Sequence, residues 1–195
     1  MKQSRVALLV SVTTLAMFLG FGTAQDAQAE ITDEKKIADA MTAGPAAITK
    51  DATIAEWPSE PGGEFNVLRK GSNGWTCLAS SATAILEGLQ DPACSDETWF
   101  AWSKAIMAGE EPNIEKLGIS YMLSGDAGLS NTDPAATGPT DDNDWHASGP
   151  HTMVLVPGLN YEGVSTDHQN GGPYVMWAGT PYAHIMVPVG PHAEE

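Results

Sequence analysis

Two short strings near the C-terminus constrain the fold of this chain more than any other feature. HTMVLVP spans residues 151 to 157 and AHIMVPV spans residues 183 to 189. Both are valine-rich, both end in or near a proline, and Gly-Pro or Thr-Pro-Tyr stands just before each. Such runs read as buried strands. In each, a histidine precedes a methionine by two positions: His151 before Met153, and His184 before Met186. Residues two apart on a strand share a face, so each string offers an imidazole and a thioether on one side. Side by side, the strands would present a His2Met2 set, a soft ligand set suited to Cu(I) and to the carriers that move it. The competing reading makes Met153 and Met186 core filling, with each histidine held by a backbone hydrogen bond at the mouth of its strand.

Around these strands the chain reads as a single α+β domain over residues 30 to 195, a mainly antiparallel sheet of about five or six strands with one main helix packed on it. ITDEKKIADAM predicts a short helix capped by Thr32, with Asp33 and Glu34 at its positive end, and Gly44-Pro45 stops it. AAITKDATIAEW favours strand through Ile48, Thr53 and Ile54, and EFNVLRK is a further strand. Asn73-Gly74 predicts a hairpin turn leading into Trp75 and Cys77. The main helix is SDETWFAWSKAIMAG, with Ser95 as its cap, Trp99, Trp102 and Ile106 as its apolar stripe, and Gly109 as its end. The two tryptophans suit docking on a sheet or lining a ligand site. LGISYMLSG is another strand, and residues 174 to 189 are a strand pair broken at Gly179-Thr180-Pro181. Between them runs a long turn-rich stretch, residues 126 to 150, of a length that in compact domains is functional or mobile.

The N-terminus carries an export signal. Lys2 and Arg5 precede the apolar run Val6 to Gly22, and Ala27-Gln28-Ala29 is a cleavage site of the A-x-A kind, so residues 1–29 read as a signal peptide cut before Glu30. An uncut membrane anchor is the alternative, because the run approaches spanning length. The expected location is therefore the periplasm or the exterior, with no membrane attachment after cleavage. In that oxidising setting Cys77 and Cys94, the only two cysteines, are expected to form a disulfide. Closing a loop of that length stabilises a fold by roughly 3 kcal/mol through chain entropy. The formal charge of −16 repels phosphate backbones and anionic lipid, so nucleic-acid and membrane-surface roles are disfavoured. An unknown small molecule or protein partner remains.

The chain has no Gly-rich phosphate loop, no G-x-S-x-G, no H-E-x-x-H and no complete calcium loop. No covalently bound cofactor is expected. An enzyme on this chain would use His151 or His184 as general base, with Asp144 or Asp133 as the acidic partner and Tyr182 donating to developing charge. His146 and His168 lie in acidic loops. Asp141, Asp142, Asn143 and Asp144 are the densest oxygen cluster, without the spacing and glycine of a calcium loop. Asp167-His168 is an adjacent pair that rarely attains orienter–base geometry. Three readings stay open: an exported binding or accessory protein, a small exported enzyme, and a Cu(I) carrier.

NGWTC at 73 to 77, SNTDP at 130 to 134, GPHTMVLVP at 149 to 157 and GGPYVMWAGTPYAHIMVPV at 171 to 189, with the helix after Cys94, resemble an uncharacterised family of short exported bacterial proteins. The likeness covers most of the exported part and is strongest in the last forty residues. It departs between Leu78 and Ala93, where the family is Pro- and Asn-rich. The resemblance implies export and one compact domain, and carries no catalytic residue across.

Overall fold

The computed structural model describes residues 31–60 and 62–191, so the expected signal peptide and His192 lie outside the described residues. Thr32 caps helix α1 (Asp33–Thr42) by accepting a hydrogen bond from the Lys35 amide, and Asp33 and Glu34 occupy its first turn. A carboxylate there meets the positive end of the helix dipole. The next segment corrects the sequence reading. Ala46–Thr49 is a one-turn helix, α2, and strand β1 is confined to Thr53–Glu56. The turn offers its backbone carbonyls to side chains: Thr49 O accepts from the Arg69 guanidinium, and Ile48 O accepts from the Asn73 amide at 2.8 Å.

The remaining elements are β2 (Asn66–Arg69), β3 (Thr76–Leu78), α3 (Ala82–Glu87), β4 (Ala93–Ser95), α4 (Glu97–Met107), β5 (Gly118–Met122), β6 (Leu129–Ser130), β7 (Trp145–His146), β8 (His151–Leu155), β9 (Tyr174–Met176) and β10 (His184–Pro188). Eight of the strands form one sheet in the order β2-β1-β3-β4-β5-β8-β10-β9, while β6 and β7 make a separate ribbon. Every pairing between these strands is antiparallel except β1 with β3, and Ser165 adds an isolated parallel bridge to Tyr174. The α+β class and the mainly antiparallel sheet are as expected, but the strands outnumber the expected five or six. The reason is length: β4 has three residues and β6 and β7 have two each, too short to display a period.

The Asn73-Gly74 turn forms but does not make a hairpin, because β1 lies between β2 and β3. The Asn73 carboxamide instead accepts from the Trp75 amide, and Gly74 takes φ +80. Close to it, Gly71 passes so near β1 that a Cβ would sit 2.2 Å from the Ala52 carbonyl carbon and the Thr53 nitrogen. Only glycine fits there.

Cys77 and Cys94 are directly opposed across β3 and β4 and form the expected disulfide. They belong to a core of small residues with Ala40, Ala43, Ala52, Ile54 and Ala79. Ala93, next to Cys94, joins a second core with Trp99, Trp102, four methionines, Leu155 and Tyr174. Successive strand residues point to opposite faces, so α1 and α4 cover opposite faces of the sheet. The cap of α4 lies one residue later than expected. Asp96, not Ser95, accepts from Trp99 N at 2.8 Å, and its other oxygen accepts from Ile119 N at 2.8 Å. One carboxylate thus starts the helix and ties it to β5. Ser95 is spent in β4, where its hydroxyl meets that of Ser120.

Candidate functional site

The face of the sheet beneath α4 carries the site. Alternation along β8 turns His151, Met153 and Leu155 inward, and along β10 it turns His184 and Met186 inward. The register places Met153 opposite Met186, Met122 opposite His151, and Met176 opposite His184. Both His-x-Met pairs therefore share one face, and Met122 and Met176 double the thioethers to four. The two imidazoles are staggered. His151 is opposite Pro188, four residues beyond His184, which separates their strand positions by roughly 13 Å along the sheet. Met153 and Met186 stand between them.

These residues line a cavity of about 280 Å³. Its walls are the four methionines, with Trp99 and Trp102 from α4, and Trp177 just after β9. The three indoles meet the His184 ring nearly at right angles, with centroids 5.2, 5.4 and 5.1 Å away. Asp91 and Asp126 also reach the lining.

Backbone geometry decides which imidazole nitrogen is available. His151 Nδ1 lies 2.7 Å from Gly149 O, and His184 Nδ1 lies 3.1 Å from Tyr182 O. A carbonyl only accepts, so Nδ1 carries the proton in both rings and Nε2 keeps its lone pair. Both Nε2 atoms are buried without a partner, as are Trp102 Nε1 and Asp91 Oδ1. The residues that carry four of the six such atoms among the described residues therefore line this one cavity. Burial holds both histidines below the ordinary range. His184 is down at about 4, with His151 adding to the effect and the Tyr182 carbonyl opposing it. His151 is lowered by burial against the Gly149 carbonyl and the Asp126 carboxylate, which oppose it. Asp91 is raised, first by burial, then by the carboxylates of Asp39 and Asp126. At neutral pH the lining combines two neutral imidazoles, an indole N–H and the carboxyl groups of Asp91 and Asp126 with an otherwise apolar wall.

The other sequence candidates lie elsewhere. Tyr182 donates its hydroxyl to Glu110 O at 3.3 Å, and only its backbone carbonyl serves His184. Asp144, beside the β6–β7 ribbon, faces His168 and Asn131 rather than His151 or His184. Asp133 is exposed and accepts from the Ala135 amide. Asp141 and Asp142 are exposed, while Asn143 turns inward to brace its own loop through Thr140 N and Gly138 O. Asp167 accepts from the Gln169 amide, leaving His168 to Asp144. Sequence reasoning missed Met122, Met176, Trp177 and Asp91. The shared facing of Ser120 and Met122, two apart in β5, was the available signal for the first; Asp91, in the connection between α3 and β4, had none.

Among the described residues, no helix is long and apolar enough to cross a membrane. Comparisons with family models, with curated proteins and with solved structures give no match.

Proposed function

We propose that this chain is an exported binding protein that holds a small, largely apolar molecule in the cavity between α4 and the C-terminal strands. The observation that carries this reading is the concentration of residues with partnerless buried polar atoms around one largely apolar cavity. A buried polar atom without a hydrogen bond costs about 1–3 kcal/mol, and four in one place are a cost that a ligand's own polar groups would relieve. Apolar walls with a few aimed polar groups are the usual build of a small-molecule site. Because the two Nε2 acceptors are staggered along the sheet, the best ligand is elongated, with a hydrogen-bond donor toward each end.

Hydroquinone has that form and serves as the probe. Titration of the oxidised protein, followed by tryptophan fluorescence, is expected to show saturable binding, and His151→Ala and His184→Ala are each expected to weaken it about tenfold or more, the loss expected when a buried hydrogen bond is left unmade. Binding that both variants leave unchanged sinks the reading.

Cu(I) carriage is the second reading, favoured by one specific observation: each Nε2-bearing histidine has a methionine directly opposite it. The stagger argues for one imidazole with two or three thioethers around an ion, rather than one ion held by both imidazoles. Cu(I) titration with His151→Ala and Met186→Ala tests it, and affinity unchanged in both removes it. General-base catalysis draws less support, because backbone carbonyls rather than carboxylates orient both imidazoles, and a base held at about 4 is a weak one at neutral pH.

A further inference from the structure

We infer that Asp144, His146 and His168 form a second site, distinct from the cavity, that binds a borderline divalent transition-metal ion such as Zn2+. One ligand atom from each lies within 4.8 Å of the others. Asp144 immediately precedes β7 and His146 lies in it, while His168 comes from the loop between β8 and β9; the imidazoles of His146 and His168 stack in parallel with centroids 3.6 Å apart. His168 Nε2 is 3.4 Å from Asp144 Oδ1.

The surroundings are built to hold this arrangement. Asn131 is buried, and its Nδ2 donates both to Asp144 Oδ2 at 3.0 Å and to Thr166 O at 3.0 Å. One side chain thus clamps the loop carrying Asp144 to the loop carrying His168. The Asn131 amide adds a bond to Asp144 O at 3.1 Å, and Trp177 N anchors Asn131 O at 2.8 Å to the chain after β9. Asp144 itself sits at φ +45, a backbone state that non-glycine residues adopt at a cost. His146 Nδ1 donates to Asp144 O at 3.2 Å, which fixes the tautomer and leaves Nε2 as the ligand atom. Metal-binding histidines are typically oriented in this way, through a second hydrogen bond from the other ring nitrogen. The Tyr174 hydroxyl is hydrogen-bonded to His146 Nε2 at 3.4 Å, a contact that an ion bound there would replace.

Ligand chemistry selects the ion. Two imidazoles with one carboxylate suit Zn2+, Co2+, Ni2+ or Cu2+; Ca2+ and Mg2+ take oxygen sets, and Cu(I) prefers the sulfur that this cluster lacks. The partly exposed cluster leaves room for water to complete the shell.

The test is titration of the oxidised protein with Zn2+ against a chromophoric chelator, and with Co2+ in a visible spectrum. One-to-one binding is expected, weakened at least about tenfold by His146→Gln and by His168→Gln. Histidine-ring NMR of the unsubstituted protein guards against variants that do not fold. Co2+ is expected to broaden the His146 and His168 signals most and the His184 signal least. Absence of stoichiometric binding, or broadening centred elsewhere, overturns the inference.

Discussion

The two cores of this molecule differ in what their burial achieves. On the α1 face, small residues close around the Cys77–Cys94 disulfide, and the polar groups nearby are largely matched. Asp39 is buried but accepts from Ser80 N at 2.7 Å and from Ser80 Oγ at 3.1 Å, and Arg69 donates to Thr49 O and Ala52 O. On the α4 face, flexible methionines and three indoles leave a cavity, with histidine, tryptophan and aspartate atoms unmatched around it. A tight core of alanines tolerates no such space. One sheet thus carries a tightly packed face and a face with a cavity, and under the proposed function a substitution should affect stability or ligand according to its side.

The largest effect is expected on the α1 face. Ile54 is fully buried, and Ile54→Ala should cost roughly 2–5 kcal/mol in urea unfolding through lost transfer energy and the cavity left behind, with hydroquinone affinity in the folded protein unchanged. Gly71→Ala, which places a methyl against immovable backbone, should cost about 1–3 kcal/mol. A loss of probe binding in folded Ile54→Ala protein, under conditions where unfolding is negligible, would break the comparison.

Next comes pH. His184 has an ordinary value near 6.5 when unfolded and about 4 when folded. The unfolded chain therefore binds the proton first, so His184's share of stability is complete above pH 6.5 and declines as pH falls toward 4, levelling off below. That share is about 3 kcal/mol, and His151, shifted the same way, acts in the same sense. Unfolding curves at pH 7 and pH 4 should show the wild type losing about that much more than His184→Leu. Equal losses would mean that the ring is not buried in its neutral form.

The smallest change should be the stability of His184→Leu at pH 7, within about 1 kcal/mol of wild type, since an apolar side chain removes an unmatched acceptor along with its hydrogen bond to Tyr182 O. The same variant should lose probe binding. A stability loss of several kcal/mol would recast His184 as a structural residue.

What the sequence made legible follows from the range of the forces involved. The Thr32 cap, the Trp99–Trp102 stripe, the strands around His151 and His184 and the disulfide are local patterns, and the fold keeps all of them. The cap at Asp96 escaped because its second carboxylate oxygen is recruited by Ile119, a partner distant in sequence. Asn73-Gly74 predicted a turn correctly but not its use, since the parallel pairing of β1 with β3 is invisible to local chemistry. Within the site, shared facing of the two His-x-Met pairs was open to inference from period alone. The stagger of the imidazoles, the arrival of Met122 and Met176, and the meeting of His146 with His168 depend on register and loop packing.

The most direct measurement follows the methyl groups of methionine in a 13C-labelled sample. Met122, Met153, Met176 and Met186 belong to the cavity core, whereas Met41 packs on the α1-face core. On titration with hydroquinone, and separately with Cu(I), the account predicts saturable shifts of the four cavity methyls with Met41 unmoved, the stronger ligand identifying the site's chemistry. Four silent cavity methyls with both probes, or shifts shared equally by Met41, would contradict the claim that this face is built to bind.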